Sequence, residues 1–199
     1  MEKFPIYKLT IDENIEDNSG VEYVALVDNP AIERNWMAFN TTKSLKFAIE
    51  NEDQRIVSGP LMVADLPIYR RDEQYGEYYA VFDAKTIMQI VQKFFKNKYN
   101  TNVNLMHSSS DKVDGVFMFE SFVINRERGV NAPKGFEGLT DGSWFGSYKV
   151  DNNDVWAEIK AGTFKGFSVE GPFAQSLHTE QPIDKIDQLI SIIDSITAS

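Results

Sequence analysis

The sequence predicts a β-rich α+β domain, built as a small closed or partly open β-barrel with a few helices around it. Three observations lead there. Short β-prone runs recur along the chain and are separated by turn signals. Helical periodicity is confined to three scattered stretches. Strands and helices do not alternate in βαβ order, so a doubly wound sheet does not fit.

Residues 4–11 alternate loosely and read as a strand, and the acidic, turn-rich stretch 12–20 reads as a loop. Residues 21–27 are apolar and β-prone until Asp28-Asn29-Pro30 breaks the run. Residues 40–54 are polar and read as a linker. One or two strands are expected over 55–69 around Gly59-Pro60, and another over 78–82. Asp83 can cap a helix over 84–98 that carries Ile87, Met88, Val91, Phe94 and Phe95 on one face. A short strand is expected over 103–107, a longer apolar one over 115–124, an exposed loop over 125–142 and a strand over 143–150. Asp151-Asn152-Asn153 opens a short helix that Gly162 can end. Residues 164–173 form the last strand, which Pro172 marks as short or at an edge. Beyond it, Ile183, Ile186, Ile190 and Ile193 make a heptad-like stripe.

Length and composition set the limits. A chain of 199 residues suits one domain with one core. The division expected is a domain over 1–175 and a helical tail over 176–199. No cysteine is present, which removes disulfides and thiol catalysis. No run of 18 apolar residues exists to span a membrane, and Met1–Pro5 lacks the apolar core of a signal peptide. The net charge of −10 gives no counterion-release gain on phosphate, so nucleic acid is not the expected ligand.

Chemistry narrows to a few side chains. His107 ends a strand and is followed by Ser108-Ser109-Ser110-Asp111, a strand-to-loop edge where a side chain can face a cleft. His178 lies in a polar stretch after the last strand. Two histidines without cysteine do not make a structural zinc site, and no metal or cofactor is expected. Ser168 stands in Gly166-Phe167-Ser168-Val169-Glu170-Gly171, an apolar run flanked by glycines. Such glycines let another backbone approach and free N–H groups of the kind an oxyanion hole needs. They also occur where a barrel corner must avoid crowding. Glu170 replaces the last glycine of Gly-x-Ser-x-Gly, and Pro172 follows where a hydrolase elbow needs a helix. Phosphate loops and dinucleotide fingerprints are absent. Carboxylates are plentiful, and a glycosidase pair is not ruled out by counting them.

Several segments in order resemble a known family. Val24–Ala31 resembles the N-terminal segment of phage prohead maturation proteases. Asn104-Leu105-Met106-His107 followed by Phe119–Ile124 resembles their histidine block. Gly142-Ser143-Trp144, Val155–Gly162 and Lys165–Gly171 resemble their serine block. These proteases belong with the herpesvirus assembly proteases, so the resemblance implies a small β-barrel wrapped by helices. It also implies a serine endopeptidase that cleaves scaffold and capsid proteins, and often itself, inside the immature head in the host cytoplasm.

On that resemblance Ser168 is the nucleophile and His107 its general base. Imidazole takes the hydroxyl proton as attack begins and returns it to the leaving amine, worth roughly 10²–10⁴-fold. Backbone amides at Val169 and Glu170, or the loop 135–142, are the oxyanion candidates. A third group must orient His107. Glu170 ranks first because it lies two residues past Ser168 on the same strand face, followed by Glu120 and Asp114, with His178 as a further alternative. The isoleucine tail is expected to self-associate. Together with the open third position, it supports the alternative of a non-catalytic capsid or scaffold component.

Overall fold

The computed structural model describes residues 4–12, 14, 17–28, 46–73, 75–108 and 112–177. The first strands are β1 (Ile6–Thr10), β2 (Tyr23–Val27), β3 (Ala48–Asn51), β4 (Ile56–Met62), β5 (Ile68–Asp72) and β6 (Gly76–Val81). Helix α1 (Ala84–Lys96), β7 (Val103–Leu105), β8 (Val116–Val123) and β9 (Trp144–Val150) follow. Helix α2 (Asn153–Ala161), β10 (Gly166–Glu170) and β11 (Ala174–Leu177) complete them. The class is α+β, mostly sheet.

The barrel does not close. The described strands form three sheets, ordered β11-β1-β6-β5, β10-β2-β7 and β3-β4-β9-β8. Closure needs one hydrogen-bonded ladder running all the way round, and here each sheet ends on strands with one unpaired side.

Local signals explain most elements. The Asp83 carboxylate accepts from the Thr86 N–H at 2.7 Å and starts α1 where the capping argument placed it. Asn152 caps α2 through the Asp154 and Val155 N–H groups. Gly162 ends it at φ 77°, a conformation open to glycine at little cost. Three boundaries differ from expectation. β3 lies inside the stretch read as linker, and its polar sequence is that of an exposed edge strand. β4 runs straight through Gly59-Pro60, because its register with β9 shifts between Pro60 and Met62, a bulge that tolerates proline. The expected last strand is two: β10 stops at Glu170, and β11 pairs antiparallel with β1. At the break, a Cβ on Gly171 would fall 1.8 Å from the Gly20 carbonyl oxygen, so glycine there permits a close backbone crossing. Residues 178–199, with His178 and the isoleucine stripe, lie outside the described residues, as does Asp111.

One core joins the sheets. Val24 and Leu26 of β2, Leu61 of β4, Ile87, Ile90 and Phe94 of α1, Trp144 of β9 and Phe167 of β10 all belong to a single buried cluster. The aromatic rings of Phe94 and Trp144 meet edge-on at 5.2 Å, tying α1 to β9.

Tyr148 sits in this core, 1% exposed, its ring 4.7 Å from that of Phe167. Its hydroxyl has no hydrogen-bond partner. Tyr148→Phe is therefore expected to stabilise the fold by about 1 kcal/mol, read from the urea midpoint. Burial pushes the Tyr148 hydroxyl pKa well above the ordinary tyrosine value. The unfolded chain loses that proton near pH 10 while the folded chain keeps it, so stability is full below pH 10 and falls as pH rises. Tyr148→Phe should flatten that alkaline decline.

Candidate active site

The site hangs on the three-stranded sheet. In β10-β2-β7, Ser168 of β10 registers with Ala25 of β2, and Ala25 with Asn104 of β7. Phe167 enters the core, so the strand alternation turns Ser168 and Glu170 to the other face. Gly166, Ser168 and Glu170 share that face by the same period of two.

His107 stands two residues beyond the end of β7. The Met106 N–H donates to the Leu26 carbonyl at 3.0 Å, and the Ser108 N–H donates to the Leu105 carbonyl at 3.0 Å. The second bond closes a tight turn whose central residues, Met106 and His107, have φ of 52° and 63°. Neither is glycine, and such residues cost roughly 1–3 kcal/mol each when held at positive φ. The turn throws the imidazole back toward β10. There, Nδ1 of His107 lies 3.1 Å from Oε1 of Glu170. Oε1 accepts no hydrogen bond by direction, so the two are in close contact with the N–H off line.

Ser168, His107 and Glu170 line one cavity of about 790 Å³. Ser168 is 7% exposed, while the His107 side chain is 48% exposed. The serine and histidine strands are not neighbours. β2 lies between them, about 4.8 Å from each. Ala25, the β2 residue level with Ser168, has only a methyl group to place in that row. The Ser168 hydroxyl makes no side-chain hydrogen bond among the described residues.

The other carboxylates lie elsewhere. Glu120 of β8 accepts from the Ser147 hydroxyl at 2.7 Å. Ser147 contacts the Ser58 hydroxyl at 2.9 Å, and Ser58 in turn reaches Glu50. This polar row crosses all four strands of β3-β4-β9-β8 and does not reach the cavity. Asp114 lies in the turn before β8, where its carbonyl accepts from Asn152. Of the candidates for the orienting position that lie among the described residues, Glu170, Glu120 and Asp114, Glu170 alone is placed beside His107. The loop 135–142 folds over a separate small cluster around Leu139 and Phe145 and does not line the cavity. Among the described residues no group of three or more metal-binding side chains occurs, and no helix is long and apolar enough to cross a membrane.

Sequence reasoning passed over three features. Asn104 is fully buried with both amide atoms unpartnered, at a typical cost of about 1–3 kcal/mol. A polar residue inside Val103-Asn104-Leu105 was the available signal. Arg70 and Arg71 line the cavity from β5, and Asp28 lines it beyond β2. A doubled arginine inside a short strand could have been noticed.

A family model described as "Putative phage serine protease XkdF" matches residues 44–177. No curated protein and no solved structure matches the chain.

Removing the central hydroxyl of the polar row tests its role. Ser147→Ala removes the bonds to Glu120 and Ser58, while Ser58 keeps Glu50 and Glu120 is exposed, so it should lower stability by about 1 kcal/mol. Denaturant unfolding measures this, and reactivity at Ser168 should be unchanged.

Proposed function

Because the chain belongs to this family of phage serine proteases, we propose that it is a prohead maturation endopeptidase that cleaves scaffold and capsid proteins, and itself, inside the immature head in the host cytoplasm. The observation that carries the reading is one cavity holding Ser168, His107 and Glu170, with Nδ1 of His107 3.1 Å from the Glu170 carboxylate. The relation to herpesvirus assembly proteases belongs to the same proposal and rests on sequence resemblance.

The chemistry follows from those placements. Ser168 Oγ attacks the scissile carbonyl carbon as Nε2 of neutral His107 takes its proton. The C=O bond becomes C–O⁻, and the backbone N–H groups at Val169 and Glu170 are the donors proposed to meet it. His107 then gives its proton to the leaving amine, the C–N bond breaks, and an acyl-enzyme remains for water to cleave. Glu170 at Nδ1 fixes the tautomer with Nε2 free to accept, and stabilises the imidazolium while it exists. Resting geometry at such pairs is often loose and tightens with substrate bound. That accounts for a serine without a hydrogen bond and a carboxylate slightly off the N–H direction.

A fluorophosphonate probe tests the assignment. Wild-type protein should be labelled at Ser168, while Ser168→Ala and His107→Ala should lose labelling and cleavage by at least about 10³-fold with the fold retained. Glu170→Gln should cut turnover by about tenfold or more with little loss of stability, and Glu120→Gln should leave turnover unchanged. An unlabelled, correctly folded wild-type protein that still enters the capsid would instead establish the scaffold-component reading.

A further inference from the structure

The cavity touches two kinds of wall. β6 lies inside its sheet and contributes the alternate residues Tyr78 and Ala80, as a sheet face must. β5 and β10 end their sheets, and each contributes consecutive residues, 68–71 and 168–170. Two strands that each have one unpaired side in their sheet therefore border the cavity, one of them carrying Ser168. A strand edge is a template for an extended peptide, whose backbone completes the ladder and whose side chains fall alternately into pockets.

The two walls differ in charge. The β10-β2-β7 side contributes Asp28, His107 and Glu170, and the β5 side contributes Arg70 and Arg71. The chain as a whole has 20 basic and 30 acidic side chains, so this doublet does not reflect a general surplus of positive charge. Arg70 is the register partner of Tyr78 and Arg71 that of Glu77, and both arginines line the cavity. Opposite Arg71 on β6 is Glu77, whose carboxylate accepts from the Tyr69 hydroxyl at 2.5 Å. Arg71 makes no ion pair among the described residues. A guanidinium offers a planar fork of donors that matches a carboxylate in two hydrogen bonds.

We propose that the substrate enters this cavity as an extended strand and presents an Asp or Glu side chain to Arg70 and Arg71, which select it. The inference rests on the protease reading and adds a specificity to it. Ser168 cuts a bond at the β10 wall while the β5 wall reads an acidic side chain at a fixed distance along the same strand.

The test is digestion of a mixed, proteome-derived peptide library by the full chain, with the new ends sequenced by mass spectrometry. Asp and Glu should be enriched about tenfold at one fixed position relative to the cut. The double variant Arg70→Ala/Arg71→Ala should lose that enrichment yet keep fluorophosphonate labelling of Ser168 within about twofold. Arg71→Glu should move the preference at that position toward Lys and Arg. Cuts without acidic enrichment, or enrichment that survives the double variant, would overturn the specificity and leave the protease intact. A wild-type chain that neither cuts peptides nor takes the probe would overturn the protease reading, and this inference with it.

Discussion

The site depends on a strand that contributes no reactive group. β2 pairs antiparallel with β10 on one side and parallel with β7 on the other, and Val24, Ala25 and Leu26 are fully buried. Ser168 and the His107 turn are each fixed by hydrogen bonds to it. One edge of β2 sets the height of the serine. The other sets where β7 stops, and the Leu26 carbonyl anchors the turn by accepting from Met106. A one-residue slip of β10 against β2 would send Ser168 into the core and Phe167 into the cavity, since side chains alternate with period two. The apolar burial of Val24 and Leu26 thus enforces the placement of Ser168 and His107 at a distance.

A second constraint acts in the four-stranded sheet. The row Glu50–Ser58–Ser147–Glu120 joins four strands through side chains alone, beneath a surface that leaves Ser58 and Ser147 5% and 1% exposed. A buried hydroxyl left unpaired costs about 1–3 kcal/mol, and the observed register pairs both Ser58 and Ser147. Gly146, next to Ser147, lies so close to Leu61 that an added Cβ would approach it to 2.9 Å. Polar pairing and tight packing thus specify the same alignment. That alignment positions the end of β4, whose residues 61–63 form part of the cavity wall.

Much of this was legible in the sequence because the signals were local. Asp83, Asn152 and Gly162 announce helix ends through bonds made within a few residues. Counting two residues along a strand from Ser168 puts Glu170 on the same face as the serine, where it meets His107. What failed to show was set by distant partners. The polar run that became β3 is a strand only because β4 offers it an edge. Gly59-Pro60 looked like a break, and the bulge that accommodates it is a property of the pairing with β9. Glu120 resembled a catalytic candidate in sequence because nothing nearby revealed Ser147, 27 residues away, as its partner. Barrel closure could not be judged from strand count, since it depends on which edges meet.

β11, paired with β1, is the last described strand. Gln175 lines the cavity, its side chain donates to the Tyr78 hydroxyl at 3.3 Å, and the strand ends two residues later at Leu177. Whatever follows is tethered within about two residue lengths, roughly 7 Å, of a residue that lines the cavity. Under the proposed protease reading, a bond in that segment that reached the site would do so at an effective concentration in the millimolar range, set by tether length and independent of how much protein is present. Cutting there would be a first-order event, whereas cutting any other chain requires collision. The proposed activity would therefore run in two kinetic regimes, one independent of protein concentration and one rising with it.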